Sequence, residues 1–168
     1  MKWIGAILVF VGCGYFGFRT AALYLNEEKS LRKLISVLDY MSCELQYKMT
    51  PLPDLCRQAS AETSGTLRKL FWCFAEELDS QISPNVKTCM NAAISKCRTI
   101  PDITRKCILQ LGASMGRFDL SSQIQALEAV RLQCRNHLSK LEEGKEMRLR
   151  SYQTLGLCAG AALVILFI

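Results

Sequence analysis

The residues of this chain that could do chemistry are nine cysteines, a single histidine and three adjacent glutamate pairs. Zinc ligation would need Cys-x-x-Cys spacing, which the sequence lacks, and no carboxylate close to His137 in sequence could orient it as a base. Adjacent glutamates diverge around a helix instead of converging on one substrate. These residues predict no catalytic, metal or cofactor site, and an enzyme that uses cysteine or glutamate side chains stays an open alternative.

One segment departs from ordinary helical sequence, the run LGASMGRFD that ends at Asp119. Two glycines flank a single helical turn there. Gly112 predicts the close approach of a neighbouring helix, and Gly116 predicts a positive φ at the end of the fifth helix. Asp119 is a suitable N-cap for the helix that follows. We interpret the segment as a structural turn, with Arg117 as a candidate partner contact in a second interpretation.

Apolar residues are concentrated at the two ends of the chain. Residues 3–18 carry no charge and 21–25 are again apolar, so a helix from 3 to 25 would be about 34 Å long. That length crosses a hydrocarbon core of about 30 Å. Residues 151–168 are uncharged, span about 27 Å as a helix and end in LVILFI. We predict three parts: a transmembrane helix at 1–25, a polar domain at 26–150 and a second transmembrane helix at 151–168.

Two other interpretations of the first apolar segment stay open. It could be a cleaved secretory signal peptide, or a lipoprotein signal whose lipid would be attached to Cys13. Neither has a suitable cleavage site, because an Ala-x-Ala pattern is missing and Phe10 stands where a lipoprotein signal has a small aliphatic residue. The retained transmembrane helix is therefore the favoured interpretation.

The basic residues predict the orientation of the polar domain. Lys2 alone precedes the first apolar segment, whereas Lys and Arg cluster after it and again before the second one: Arg19, Lys29, Arg32, Lys33, Lys140, Lys145, Arg148 and Arg150. The positive-inside rule then places the domain in the cytoplasm and both termini outside. The seven cysteines of the domain agree, because an odd set without a pairing pattern suits reduced, buried thiols. The net charge of +6 is too small to indicate a nucleic-acid-binding protein.

Between the two ends the apolar residues recur at helical spacing, and no segment alternates as a strand would. Thr50 as N-cap, Pro51 in the first turn and Leu52 in the apolar stripe predict a helix start. Ser83-Pro84 and Pro101-Asp102 predict two further starts. The predicted fold is all-α, a bundle of about six helices. Its first and last helices run on from the apolar ends, so that transmembrane helices flank the bundle.

These motifs resemble the stage III sporulation protein AB family over nearly the whole chain. The resemblance rests on Thr50-Pro51-Leu52 and on Leu111-Gly112-x-x-Met115-Gly116-Arg117-x-Asp119, followed by Gln123 and a long last helix. More distantly, the polar domain resembles the cytoplasmic domain of the F-type platform proteins of type II secretion, which have Gly-Glu-x-x-Gly at this turn. Ala113 replaces that glutamate here, so no role of the glutamate is expected in this chain.

The resemblance implies a non-enzymatic component of the sporulation channel in the mother-cell membrane around the forespore. The implied partners are the lipid bilayer, other stage III channel proteins and a cytoplasmic ATPase, stage III protein AA, for which the domain would be a platform or coupling subunit. A membrane-anchored helical adaptor for a regulatory partner is the alternative function. No nucleic-acid partner and no cofactor are expected, and self-association is left open.

Overall fold

The computed structural model describes residues 2–80, 85–97, 99–115 and 120–167, with side chains described between 22 and 143. Within the described residues the chain forms six helices and no strand: α1 (Lys2–Lys48), α2 (Leu52–Glu62), α3 (Thr66–Asp79), α4 (Val86–Lys96), α5 (Asp102–Ser114) and α6 (Leu120–Phe167). The predicted all-α fold of about six helices is confirmed.

The first and last helices are several times longer than the other four. They contain 47 and 48 residues, and each runs without a break across the boundary between apolar and polar sequence. Continuity was expected, because no proline interrupts either segment and Gly144 only weakens helical preference. The chain divides into two compact units, Glu27–Leu138 and a second unit made of Met1–Asn26 with Ser139–Ile168.

The two predicted transmembrane helices, at 1–25 and 151–168, lie outside the residues with described side chains, except for 22–25. Among the residues that could be assessed, no helix combines the length and the apolar character needed to cross a membrane.

The core of the Glu27–Leu138 unit is built from the predicted apolar stripes. In α1 the residues spaced three or four apart are at most 3% exposed: Leu31, Leu34, Leu38, Met41 and Leu45. Phe71 and Phe74 of α3 are fully buried, and burial of one such side chain contributes about 1.5–3 kcal/mol relative to exposure. Within this unit five cysteines are buried, Cys73 is half-buried and Cys43 is exposed, and burial raises the pKa of the Cys56 thiol.

Consecutive helices from α2 to α5 pack against one another, and Gly112 lies at a close approach between α4 and α5. A Cβ atom added at Gly112 would lie 2.5 Å from Cβ of Met90. The predicted helix contact at Gly112 is therefore present. The expected position of Gly112 in a turn is wrong, because α5 continues to Ser114 and the Met115 amide donates to the Leu111 carbonyl over 3.0 Å.

Two predicted helix starts are shifted along the chain. The N-cap of α2 is Pro51 instead of Thr50, because the extended Pro51 (φ −56°, ψ 144°) offers its carbonyl to the Leu55 amide at 2.9 Å. The N-cap of α4 is Asn85, whose side chain accepts from the Lys87 amide at 3.0 Å, while Ser83-Pro84 lies outside the described residues. Pro101 does precede α5, as predicted.

The remaining predictions for the 112–119 segment concern Gly116, Arg117 and Asp119. All three lie outside the residues that the structure describes, so the positive φ of Gly116 and the capping role of Asp119 stay predictions.

The Gly112 contact predicts a loss of stability on substitution. Gly112→Ala should lower the free energy of unfolding by about 1–3 kcal/mol, because the added methyl group overlaps Met90. Denaturant unfolding of the full chain followed by circular dichroism measures this change. Ala113→Ser at the exposed neighbouring position is the control. Adding Met90→Ala should recover part of the loss, and an additive double variant would contradict the proposed overlap.

Candidate interaction surface

Contacts between helices define two ends of the Glu27–Leu138 unit. At the first end, the Glu27 end, Oε1 of Glu27 accepts a hydrogen bond from the Ile103 amide at 2.8 Å, which brings the start of α5 beside α1. Lys33 Nζ of α1 donates to Ser64 Oγ at 2.8 Å, between α2 and α3. The Glu27 end therefore contains early residues of α1, the connection from α2 to α3 and the start of α5.

At the opposite end, the Gly112 end, the other helix termini meet. Arg57 in the middle of α2 pairs with Asp79, the last residue of α3. Cys89 Sγ near the start of α4 lies 3.7 Å from the Glu77 carbonyl of α3, and Gly112 near the end of α5 lies against α4. The last residues of α1 belong to this end too, because α2 begins only four residues after Lys48.

The Glu27 side chain acts as a helix cap across a long sequence distance. Pro101, the N-cap of α5, provides no side-chain hydrogen bond to the exposed amides of the first turn. Glu27 satisfies one of them from another helix, and its negative charge interacts favourably with the positive end of the α5 dipole. No local sequence motif could have indicated this cap, because 76 residues separate the two groups.

Two large side chains at the end of α1 are exposed. Tyr47 is 80% exposed and Met49 is 71% exposed. Met49 also has φ of 50°, in the left-handed region that glycine adopts freely and other residues adopt at a cost of about 1–2 kcal/mol. Because the Met49 side chain adds little to the core, packing does not offset this cost. Strain combined with exposure indicates a functional position.

Two polar contacts involve the last turns of α1, one within the helix and one to α2. Lys48 Nζ donates to Oε1 of the buried Glu44 at 2.8 Å, and this hydrogen bond raises the pKa of Lys48. Tyr40 donates to Oε1 of Gln58 in α2 at 3.2 Å, and its burial, followed by the nearby Glu44 charge, raises the pKa of its hydroxyl. The Tyr47 and Met49 side chains therefore project from a braced helix end, which limits the entropy lost on binding.

Acidic side chains occur in the helix segments that define the Gly112 end. The last turn of α3 contains Glu76, Glu77 and Asp79 and no basic residue, although the carboxyl end of a helix dipole disfavours negative charge. Asp54 adds a carboxylate at the start of α2. Arg57 and Lys96 neutralise Asp79 and Glu77, and these exposed pairs contribute only about 0–1 kcal/mol each. The surface as a whole suits a basic partner with an apolar contact.

Some of the predicted site residues lie in the described part of the chain and others do not. Thr50, Pro51 and Leu52 lie at the Gly112 end together with Gly112 itself, whereas the turn that carries Arg117 lies outside the described residues. Sequence reasoning missed Tyr47 and Met49. Tyr47 gave one signal, as a large side chain off the α1 stripe, whereas Met49 follows Leu45 at the four-residue spacing of that stripe. In the described part of the chain, no three His, Cys, Asp or Glu residues lie close enough to share a metal ion.

The strain at Met49 gives a directional prediction. Met49→Gly should raise the free energy of unfolding by about 1 kcal/mol, because glycine adopts a φ of 50° without a Cβ clash. Gln46→Gly, at an exposed helical position of the same helix, should lower it by about 0.5–1 kcal/mol. Denaturant unfolding of both variants measures the difference, and two equally destabilised variants would contradict the assigned strain.

Comparisons with known proteins agree with the predicted resemblance. The family model described as stage III sporulation protein AB matches residues 2–168. Stage III sporulation protein AB of Bacillus subtilis (strain 168) is 23% identical over 169 residues, which covers 99% of this chain and 98% of that protein. A solved structure of stage III sporulation protein AB has the same fold, with a TM-score of 0.64 at 19% identity, over 73% of this chain and 98% of that one. The chain belongs to the stage III sporulation protein AB family.

Proposed function

We propose that this stage III sporulation protein is a non-enzymatic membrane component of the channel complex between mother cell and forespore. In that complex it acts as the platform subunit for a cytoplasmic ATPase, stage III protein AA. Family membership over residues 2–168 supports the sporulation role. The observation that carries the platform role is the strained and exposed Met49 beside Tyr47 on a braced helix end.

The proposal includes two membrane spans, at 1–25 and 151–168, with the domain between them in the cytoplasm and both termini outside. The uncharged runs 3–18 and 151–168 within these segments support the spans, and so does the continuous helical backbone from each segment into the polar domain. A platform anchored at both ends can transmit force from a cytoplasmic partner, because α1 and α6 are unbroken helices. The spans also make the bilayer a partner of the chain.

The ATPase docks on the Gly112 end in this proposal. Tyrosine is enriched among the side chains that dominate binding energy, and a flexible methionine adapts well to a partner surface. The acidic side chains in the last turn of α3 and the first turn of α2 would steer a basic partner surface toward the Gly112 end. Arg117 stays a candidate contact, because its segment connects the end of α5, which lies at this end, with the start of α6.

Docking at the Gly112 end predicts a loss of ATPase binding in a surface variant. The double variant Tyr47→Ser and Met49→Ser should weaken co-purification of stage III protein AA with the full chain from sporulating cells by about tenfold or more. Binding should fall because two exposed side chains are removed from the contact, and the same strain should form fewer spores.

Leu132→Ser in α6 is the matched control for that experiment. Leu132 is 60% exposed and lies away from the residues that define the Gly112 end, so ATPase co-purification should stay at the level of the unchanged chain. Unchanged ATPase binding by the Tyr47 and Met49 double variant, at normal membrane levels, would contradict the docking site. Capture of a regulatory protein without the ATPase by the unchanged chain would favour the adaptor alternative.

A further inference from the structure

Exposed basic side chains from three helices meet at the Glu27 end. They are Lys29 of α1, Arg68 and Lys69 of α3, and Arg105 and Lys106 of α5. The hydrogen bonds from Lys33 to Ser64 and from Ile103 to Glu27 place these three helix segments at one end of the unit. These five residues add positive charge to the Glu27 end, and we refer to them as the basic surface; no single stretch of the sequence contains them.

Helix stability does not explain where these cations lie. Arg68 and Lys69 are the third and fourth residues of α3, and Arg105 is the fourth residue of α5. The amino end of a helix dipole disfavours positive charge by about 0.3–1 kcal/mol per residue. In α3 the charges at both ends are opposite to those that the helix dipole favours. Its first turn has no acidic residue and its last turn has no basic one. Charges placed against a local preference indicate selection for something else.

Two of the four acidic residues at this end have partners, whereas Glu62 at the end of α2 and Asp102 in the first turn of α5 lie in the same segments as the basic residues. Glu27 accepts the Ile103 amide, and Glu28 pairs with Arg32 at 3.2 Å. Among the residues that the structure describes, none of Arg68, Lys69, Arg105 and Lys106 forms an ion pair, and all four are exposed. The basic surface is therefore left to interact with anions outside the chain.

We propose that the Glu27 end binds the headgroups of anionic phospholipids, an inference that rests on the membrane spans of the proposed function. Glu27 follows the first predicted span, 1–25, after a single residue, so the chain leaves the bilayer at this end. Screening lengths of about 8–10 Å at physiological salt leave cations within the first helical turns under the influence of the membrane surface. Each basic residue near an anionic surface contributes about 1 kcal/mol.

Lipid fits these cations better than an acidic protein or a nucleic acid. The basic side chains belong to the first turns of two helices and to α1 directly after the predicted span. An acidic protein would have to bind beside the residues that directly follow the predicted span. Binding of lipid here would fix the orientation of the helical unit on the membrane, and would thereby set where the Gly112 end meets its partner.

The test compares lysine reactivity at the two ends of the unit. The full chain is reconstituted in nanodiscs of phosphatidylcholine alone or with phosphatidylglycerol, and acetylation rates of single lysines are followed by mass spectrometry. Lys69 and Lys106 should react about threefold or more slowly in the anionic discs, and high salt should remove the difference. Lys87 near the start of α4, at the Gly112 end, is the internal control and should react equally in both discs.

A charge variant completes the test. Arg68→Gln with Arg105→Gln should bring the rates of Lys69 and Lys106 in anionic discs toward those in phosphatidylcholine, whereas Lys87→Gln should leave them slow. Equal rates in both discs would overturn the lipid inference, and so would protection that appears only when an acidic protein or a nucleic acid is added. The discs contain no ATPase, so these results are separate from docking. A chain that alkaline carbonate extracts from the discs would overturn the membrane spans as well.

Discussion

The buried stripe of α1 is the surface on which the Glu27–Leu138 unit is assembled. Its leucines and Met41 are almost completely excluded from solvent. Polar contacts from the same helix reach three others, through Tyr40 to α2, Glu27 to α5, and Asp39, whose carboxylate lies 2.7 Å from Nη1 of Arg131 in α6. Because α1 is one unbroken helix, packing against its buried stripe determines where along the α1 axis the other helices begin and end. Both proposed surfaces depend on that alignment.

The local rules of helix stability are obeyed in the core and broken at the two ends. Met49 has a left-handed backbone where glycine would be unstrained, and α3 carries its charges against its own dipole. Both departures involve exposed side chains, so neither improves the core. Such departures are expected where a surface is selected for partners and not for stability. The first lies at the Gly112 end beside exposed Tyr47, and the second runs along α3 between the two ends.

The sequence was sufficient for features that depend on neighbours along one helix. The helical spacing of the apolar residues predicted the buried face of α1, and Gly112 predicted a close helix contact. Features that depend on tertiary neighbours could not be read in this way. The cap that Glu27 provides is remote in sequence, and the basic surface combines residues from three helices. Helix starts were misplaced because the Pro51 carbonyl and the Asn85 side chain, rather than the preceding hydroxyl residues, make the capping bonds.

Hydrogen–deuterium exchange of the full chain in nanodiscs, with and without stage III protein AA, tests the central claim most directly. Docking at the Gly112 end predicts slower amide exchange in the ATPase complex for segments 44–55 and 76–90. Exchange in segment 101–110, at the Glu27 end, should not change. Slower exchange confined to segment 101–110, with none at the end of α1 or the start of α4, would contradict the account.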